Sequence, residues 1–447
     1  MASAAEQLAA NLNFGAFAKA TELKQRIWFT LGALIVYRFG SYIPIPGIDP
    51  TILAEIFEQQ QRGILGMFDM LAGGAFGRMT IFALNIMPYI SASIIIQLMT
   101  TVSPTLDALK KEGETGRKKL NQYTRYLTVL LATVQAFGIA VGLEGMRGSA
   151  GAAVMAPGLF FQATTVVTLV GGTMFLMWLG EQITARGVGN GISLIIFAGI
   201  VANLPSALAG TLELGRTGAV SAFFIIFLLA MAVGVIAFVV FIERAQRRII
   251  VQYPKRQVGN KMFGGEASHL PLKLNTSGVI PPIFASSLLL LPITVANFTA
   301  ESGPQWLVEV TNLLAHGRPL YMLLYVALIV FFAFFYTAVV FNPTDTADNL
   351  KKHGGFIPGI RPGKSTADYL DYVLTRLTVL GAIYLSAVCL LPEILVSQYA
   401  VPFYFGGTSL LIVVSVTMDT VAQVQSHLLA HQYEGLIKKA KLRGRRG

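Results

Sequence analysis

The sequence is poor in cysteine and in charged residues. Cys389 is the only cysteine among 447 residues, so neither a disulfide nor a thiolate metal site can form within one chain. Charged residues make up 13% of the sequence, whereas roughly a quarter of residues are charged in soluble globular domains. With 54% hydrophobic residues and a mean hydropathy of +0.62, the composition excludes a soluble globular protein and indicates a membrane protein.

Motifs of catalysis and nucleotide binding are also missing. The string GIRPGKS at residues 359–365 has three residues between its glycines, whereas a phosphate-binding P-loop needs four. GVGNG at residues 187–191 is a glycine-rich turn and is equally weak as a nucleotide signal. His427 and His431 are spaced to share a helix face, but no carboxylate cluster accompanies them. We therefore predict a protein that is not an enzyme and that holds no cofactor or metal.

Long apolar runs are abundant. A helix needs about 20 predominantly apolar residues to cross the hydrocarbon core of a bilayer. Ten runs come close to this length, at residues 27–43, 79–102, 126–143, 159–180, 192–209, 220–242, 279–296, 320–341, 374–391 and 403–418. We predict an all-α polytopic membrane protein with ten transmembrane helices. The second span contains Pro88, which is expected to free a backbone carbonyl within the span.

Lysine and arginine are distributed unevenly between the connections. The N-terminus, the even-numbered loops and the C-terminal tail hold 28 of the 34 Lys and Arg residues, whereas the five odd-numbered loops hold five. Because positively charged loops stay on the cytoplasmic side, we predict that both termini are cytoplasmic. Termini on the same side require an even number of spans, and ten is even. Arg38, near the outer end of the first span, is expected to snorkel to the interface.

Acidic residues are missing from the interiors of the predicted spans. Glu181, Glu243 and Asp419 all fall at cytoplasmic ends, whereas a proton- or sodium-coupled carrier would normally bury acidic residues at mid-membrane. A passive, largely apolar conduit fits this pattern better. An ion- or solute-coupled secondary transporter is the first alternative, and a lipid-embedded scaffold without transport is the second.

Two stretches repeat one order of proline, small polar residues and apolar tail. NIMPYISASIII occupies residues 85–96, VIPPIFASSLLL occupies residues 279–290, and the two share an isoleucine, a proline and a serine at equivalent positions. They lie in predicted spans two and seven, which enter the membrane from opposite sides. Five-span halves of opposite orientation are the inverted repeats of many transport proteins, with the functional path between the halves.

The repeat divides the chain into two inverted five-helix halves. The predicted parts are a cytoplasmic N-terminal segment at 1–26, a first half at 27–210, a second half at 211–426 and a basic cytoplasmic tail at 427–447. Two cytoplasmic loops of the second half, 243–276 and 342–372, are long and basic and contain several glycines and prolines. Such loops are candidates for docking acidic partners or RNA phosphates.

The first outer loop carries a short apolar stretch. Residues 64–71 make about two helical turns between glycines, which is too short to span a bilayer. Such a helix either rests on the outer leaflet or forms a re-entrant piece in the mouth of the conduit. The residues themselves leave both alternatives open.

Five long strings carry a resemblance to a known family. They are FALNIMPYISASIIIQL, ARGVGNGISLIIFAGI, SHLPLKLNTSGVIPPIFASS, GFIPGIRPGKST and FYFGGTSLLIVV. These strings resemble the SecY family, the central channel subunits of the bacterial protein translocase. The resemblance implies a central hourglass pore between the two halves. Unfolded secretory polypeptides would cross the membrane through this pore, and signal or transmembrane segments would leave it sideways into the bilayer.

The same resemblance implies four groups of site residues. A ring of apolar side chains at the waist of the pore falls on Ile86, Ile90, Ile192, Ile196, Ile283 and Ile412. A plug helix at about residues 63–73 carries Ile64, Leu65, Met67, Phe68, Met70 and Leu71. A lateral gate between the halves includes Ser91, Ser93, Gln97, Asn275, Thr276, Ser286 and Ser287. Docking of a motor or a ribosome falls on Lys255, Arg256, Lys261 and Arg361.

The resemblance also implies partners and a location. The expected partners are the small membrane subunits SecE and SecG, the SecA motor ATPase, the ribosome through its rRNA phosphates, the unfolded polypeptide substrate and the phospholipid bilayer. The expected location is the bacterial cytoplasmic (inner) membrane, which the chain crosses several times.

Overall fold

The structure is a computed structural model of the chain. It describes residues 20–60, 69, 72–148, 151–217, 221–253, 256–258, 261–263, 267–299, 318–399 and 407–444. Within them, helices α1 to α13 lie at Thr21–Gly40, Pro50–Gln60, Met87–Val102, Pro104–Lys111, Glu114–Gly145, Leu159–Arg186, Gly191–Arg216, Ala222–Arg244, Ile280–Thr299, Pro319–Val340, Pro343–Lys352, Lys364–Tyr399 and Gly407–Gly444. Strands β1 to β6 lie at Arg147–Gly148, Gly151–Ala152, Gln246–Gln252, Arg256–Val258, Lys261–Phe263 and Ala267–Lys273.

Seven helical segments of the described residues are long and apolar enough to cross a membrane. They are Glu114–Gly145, Leu159–Arg186, Gly191–Gly210, Phe223–Arg244, Pro319–Lys352, Lys364–Pro392 and Thr408–Ala430. These segments confirm predicted spans three to six and eight to ten.

The other three predicted spans also coincide with helices. Helices α3 and α4 are bent by 101° at the break between them and count as an eighth candidate span if they are taken together. At the seventh position lies α9, of which the apolar part Ile280–Leu289 is by itself shorter than a full span. Helix α1 lies at the first position and carries Glu22, Lys24, Arg26 and Arg38 within its 20 residues. The ten-helix prediction is consistent with this arrangement.

The second predicted span begins later than its hydropathy indicated. Residues 72–86 form successive turns, and α3 begins only at Met87. Asn85 has a φ of 49°, a left-handed conformation that a right-handed helix cannot contain. Pro88 therefore lies in the first turn of α3. Backbone N–H groups in this turn have no partner within the helix, so the lack of an N–H in proline costs no hydrogen bond. The prediction that Pro88 frees a carbonyl within the span is wrong.

Helix α9 carries the second copy of the repeated stretch and starts in the same way. Its first residue is Ile280, and Pro281 and Pro282 follow in the first turn. Gly278, two residues before the helix, has a φ of 63°. Both copies therefore mark a helix N-terminus by a left-handed residue followed by proline. This local geometry accounts for the shared order of residues.

The chain divides into two compact units, and the first contains most of the N-terminal part. It comprises the described residues of Met1–Leu208, Thr294–Gly303 and Val416–Gly447. Helix α5 packs against α3 and α6, and α6 also packs against α1. Gly172 of α6 allows the carbonyl of Ile81 to approach the helix, because a Cβ at this position would clash with that oxygen.

The second unit comprises the described residues of Ala209–Ile293 and Pro304–Ser415. Helices α10 and α11 pack against α12. Strands β3 and β6 pair antiparallel over seven residues each, so part of the predicted loop 243–276 is a small sheet. The alternation of buried and exposed residues in β3 is too short to stand out in the sequence. A core beneath the sheet contains Ile249, Leu272, Ile357, Leu370, Leu374 and Leu377.

Candidate functional site

Two predicted ring residues lie at the start of α3. Ile86 is the N-cap residue of the helix and is 1% exposed, and Ile90 is also buried. The N–H of Ile90 donates to the carbonyl of Ile86 at 3.0 Å. The two side chains are therefore one helical turn apart and share a face, as their spacing predicts.

Two further ring residues lie in the first two turns of α7. Ile196 is buried and Ile192 is half-buried. Helices α6 and α7 approach closely at this point, since a Cβ on Gly191 would clash with the carbonyl of Gly180. A Cβ on Gly180 would in turn lie 3.1 Å from the Ile192 side chain. The first turn of α7 therefore packs directly against α6.

The turn before α7, the GVGNG turn at residues 187–191, is held by side-chain oxygens. The N–H of Val188 donates to Thr30 Oγ1 at 3.0 Å, and the N–H of Gly189 donates to Gln423 Oε1 at 2.8 Å. The N–H of Gly191 donates to Thr184 Oγ1 at 2.8 Å. These N–H groups are occupied by protein acceptors, so the turn cannot cradle a phosphate. This agrees with the weak nucleotide signal of its sequence.

The last two predicted ring residues belong to the second unit. Ile283 is half-buried in the first turn of α9, and Ile412, near the start of α13, is 2% exposed. Four of the six predicted ring residues thus belong to the first unit and two to the second. A closed ring formed by all six stays a prediction.

The predicted gate residues of the first unit follow one another along α3. Gln97 Nε2 donates to Ser93 Oγ at 3.3 Å, and Ser91 is buried. Gln97 Oε1 is buried and has no hydrogen-bond partner within the described residues. Helix α3 therefore carries a buried polar atom whose hydrogen-bonding capacity is unsatisfied within the described residues.

Asn275, a predicted gate residue of the second unit, stabilises the turn that precedes α9 by hydrogen bonds. Its Nδ2 donates to Glu243 Oε1 at 2.8 Å and to the carbonyl of Gly278 at 3.0 Å. Ser277 Oγ donates to Asn275 Oδ1 at 3.0 Å. Thr276 beside it donates through Oγ1 to the carbonyl of Lys273 at 3.2 Å. Asn275 thus ties the end of α8 to the start of α9.

The other predicted gate residues of the second unit lie within α9. Ser286 Oγ donates to the carbonyl of Ile283 at 3.0 Å. Ser287 Oγ is buried and has no hydrogen-bond partner in the part of the chain that the structure describes. Both hydroxyls are therefore directed at protein and not at bulk water.

The predicted plug residues Ile64, Leu65, Met67, Phe68, Met70 and Leu71 lie outside the described residues. Asp69 between them is described. Its Oδ1 accepts the N–H of Gly77 at 2.6 Å, and its carbonyl accepts the N–H of Gly74 at 2.8 Å. Burial raises the pKa of the Asp69 carboxyl, against smaller lowering effects of the Gly77 hydrogen bond and the Arg78 charge. Asp69 therefore fixes the turn that follows the predicted plug.

Two arginines that the sequence reasoning did not assign to the site hold the same turn. Arg38 Nη1 donates to the carbonyl of Gly73 at 2.7 Å, and Arg78 Nη2 donates to it at 3.2 Å. The two guanidinium carbons lie 4.7 Å and 4.3 Å from the centre of the Tyr42 ring, within range of a cation–π interaction. Arg38 is thus bound to the backbone of this segment, and its snorkelling to the interface stays a prediction.

The predicted docking residues belong to the two long loops of the second half, which the sequence predicts to be cytoplasmic. Arg361 is exposed in the loop before α12, and its carbonyl accepts a hydrogen bond from Thr366 Oγ1 at 2.9 Å. Arg256 and Lys261 lie on strands β4 and β5, which pair antiparallel, and Lys255 lies outside the described residues. Exposed arginines on β3, which the sequence reasoning did not select, are Arg247 and Arg248.

Metal-ligating groups are not assembled anywhere in the described ranges. No cluster of three or more His, Cys, Asp or Glu side chains that could hold a metal ion occurs there. Cys389 is buried in the second unit.

Known proteins resemble this chain over nearly its whole length. A family model described as SecY matches residues 80–421. The protein translocase subunit SecY of Rickettsia conorii is 60% identical over 422 residues, covering 94% of this chain and 97% of that protein. The protein translocase subunit SecY of Escherichia coli K12 is 58% identical over 424 residues, covering 95% of this chain and 96% of that protein.

Solved channel structures share the fold. A structure described as a protein conducting channel matches with a TM-score of 0.61 at 18% identity, over 92% of this chain and 93% of the other. Sec61 in a canine ribosome-channel complex from the endoplasmic reticulum matches with a TM-score of 0.58 at 16% identity, over the same shares. Given the family match across residues 80–421 and identities near 60% along almost the full length, this chain belongs to the SecY family.

Proposed function

We propose that this chain is the channel-forming subunit of a protein translocase. It conducts unfolded secretory polypeptides across the bacterial cytoplasmic membrane and releases signal or transmembrane segments sideways into the bilayer. The observation that carries the proposal is the 60% identity to a protein translocase subunit over 94% of the chain. An ion- or solute-coupled transporter is disfavoured because the predicted span interiors contain no Asp or Glu.

An isoleucine ring suits a channel for polypeptides of any sequence. Ile86, Ile90, Ile192, Ile196, Ile283 and Ile412 form the proposed constriction. Their side chains offer no hydrogen bonds to ions, and narrow hydrophobic constrictions block ions by dewetting. Branched apolar side chains can move apart around an extended peptide, whose only constant feature is its backbone.

The free energy that a signal segment can supply is close to what the opening of such a gate takes. About ten apolar residues, at roughly 0.5 kcal/mol each in the bilayer, supply about 5 kcal/mol. Moving a two-state equilibrium from mostly closed to mostly open takes about 5.5 kcal/mol. We propose that the segment binds beside α3 and α9, at the gate residues Ser91, Ser93, Gln97, Asn275, Thr276, Ser286 and Ser287.

The predicted plug would seal the outer mouth of the channel. Residues 63–73 are assigned to it by resemblance, and the contacts of Asp69, Arg38 and Arg78 would anchor its C-terminal end.

Directional transport requires a partner, because the sequence contains no nucleotide-binding motif. The proposed sources of energy are the SecA motor ATPase and the ribosome, docking on Lys255, Arg256, Lys261 and Arg361. The similarity to a channel solved in a ribosome complex supports the ribosome as a partner. SecE and SecG are the proposed small membrane subunits, and both termini are proposed to be cytoplasmic.

Crosslinking to an arrested secretory chain tests the proposal. Ile86→Cys and Ile283→Cys, each in a Cys389→Ser background, should crosslink to the arrested polypeptide, because both side chains line the proposed constriction. Val233→Cys is the control, since Val233 is 67% exposed on the apolar helix α8 and should react with a lipid-soluble reagent but not with the polypeptide.

Two further results would count against the proposal. The first is a failure of both ring positions to crosslink while the Val233→Cys control reacts with its reagent. The second is the behaviour of a carrier in proteoliposomes, namely solute-coupled ion flux without motor-dependent uptake of a preprotein.

A further inference from the structure

We propose that Thr30 and Gln423 are positioning residues of the channel, which hold the GVGNG turn and thereby set Ile192 and Ile196 in the constriction. The inference rests on the proposed function, because it concerns the ring residues of the same channel. All residues involved belong to the first unit.

The backbone of the turn depends on acceptors from distant parts of the chain. Gly187, Val188 and Gly189 are buried, and buried backbone N–H groups need a partner. Thr30 of α1 accepts from Val188, which is 158 residues away in the sequence, and Gln423 of α13 accepts from Gly189, which is 234 residues away. The turn is therefore held from two helices that do not adjoin it in the sequence.

Side-chain packing supports the same two attachments. Val188 is 3% exposed and packs in a small core with Ala20 and Leu23. Val424 and Leu428 of α13 also pack against this core. The turn thus lies between α1 and α13, so a shift of either helix would displace the turn.

The turn connects rigidly to the ring residues. Asn190 Oδ1 accepts the N–H of Ile192 at 3.1 Å, and the carbonyl of Asn190 accepts the N–H of Leu194 at 2.9 Å. Gly191 is in close approach to Gly180 of α6, where a Cβ would clash. Since close-packed elements have little room to adjust, a displacement of the turn reaches Ile192 within two residues.

The roles of Thr30 and Gln423 are those of hydrogen-bond acceptors. The Thr30 hydroxyl accepts from Val188 and donates to the carbonyl of Arg26 at 2.9 Å. Serine can make both bonds, whereas valine has the same shape and can make neither. Glutamate keeps an acceptor oxygen at position 423, whereas leucine leaves the Gly189 N–H without one.

The test measures the exposure of the ring directly. Ile192→Cys in a Cys389→Ser background is treated with a water-soluble maleimide in the resting channel. Adding Gln423→Leu or Thr30→Val should raise the reaction rate about tenfold, a change equivalent to about 1.4 kcal/mol, and should raise the resting ion leak in parallel. Gln423→Glu and Thr30→Ser should leave both quantities at the parental level.

Gln425→Leu is the matched control on α13. Gln425 lies two residues from Gln423 and hydrogen-bonds to no residue that the structure describes, so its substitution should leave the maleimide rate unchanged. Reaction rates are compared on protein that elutes from a size-exclusion column as the folded channel. A lower expression level of a variant then does not affect the measured rate.

Each outcome decides a specific point. If Gln423→Leu and Thr30→Val react like Gln425→Leu, the inference is overturned. It is also overturned if Gln423→Glu and Thr30→Ser show the same increase, because the acceptor would not be the cause. If Ile192→Cys does not crosslink to an arrested secretory chain in the parental channel, the ring assignment in the proposed function fails instead.

Discussion

Gly171 and Gly172 are neighbours in α6 but have opposite surroundings. A Cβ on Gly172 would clash with the carbonyl oxygen of Ile81, whereas a Cβ on Gly171 would have nothing within 4 Å. Because Gly172 has no side chain, α6 can lie against the turns that precede α3. Ile86 and Ile90 lie at the start of α3.

The two glycines form a matched pair for a stability measurement. Gly172→Ala should lower the free energy of unfolding by about 2 kcal/mol, since overpacking costs roughly 1–3 kcal/mol. Gly171→Ala should be neutral or stabilising by up to about 1 kcal/mol, because alanine is the better helix former. The thermal midpoint of each variant in detergent is measured by heating samples and determining the folded fraction by size-exclusion chromatography. Equal midpoints for the two variants would contradict the close packing at Gly172.

The turn segment at residues 72–86 is the element that the sequence predicted least well. Its apolar run continues into α3, so a hydropathy average does not separate the two. The left-handed φ of Asn85 does not affect such an average. Seven spans could be predicted from length and hydropathy alone, since those quantities decide whether a helix can cross a bilayer. The contacts of Thr30 and Gln423 with the GVGNG turn could not, because no local pattern joins residues more than 150 positions apart.

Asp69 gives the same turn segment a dependence on pH. Its folded-state pKa is raised by burial, so the folded state holds the proton more tightly than the unfolded chain. The stabilising contribution of the protonated form is complete below the ordinary pKa of aspartate, and it is lost as pH rises through the raised pKa.

Replacing the carboxyl by an amide separates the charge from the hydrogen bond. Asp69→Asn keeps an oxygen that can accept from the N–H of Gly77 and removes the charge. The variant should therefore unfold at a higher temperature than the parent near pH 7, and the difference should shrink as the pH falls toward 4. Thermal midpoints at both pH values measure this, and a variant that is less stable near neutral pH would contradict the assignment.

At the scale of the whole molecule, the distribution of charge and the helical connections agree. The predicted third loop contains the short pair β1–β2 and a single arginine, Arg147, whereas the predicted sixth loop contains β3 to β6 and seven Lys or Arg residues. A loop with seven positive charges stays on the cytoplasmic side far more readily than a loop with one. The third loop is therefore expected outside and the sixth inside.

Thiol labelling of one residue in each loop tests this orientation. Met155, which is 70% exposed just after β2, and Ile250, which is 48% exposed on β3, are each replaced by cysteine in a Cys389→Ser background. A membrane-impermeant maleimide should label Met155→Cys in intact spheroplasts and should label Ile250→Cys only after the membrane is disrupted. The parent without cysteine controls for background, and labelling of both after disruption controls for reactivity. Labelling of Ile250→Cys in intact spheroplasts would place the docking loops outside, where neither a cytoplasmic motor nor a ribosome could reach Arg361, and the proposed source of energy would have to be abandoned.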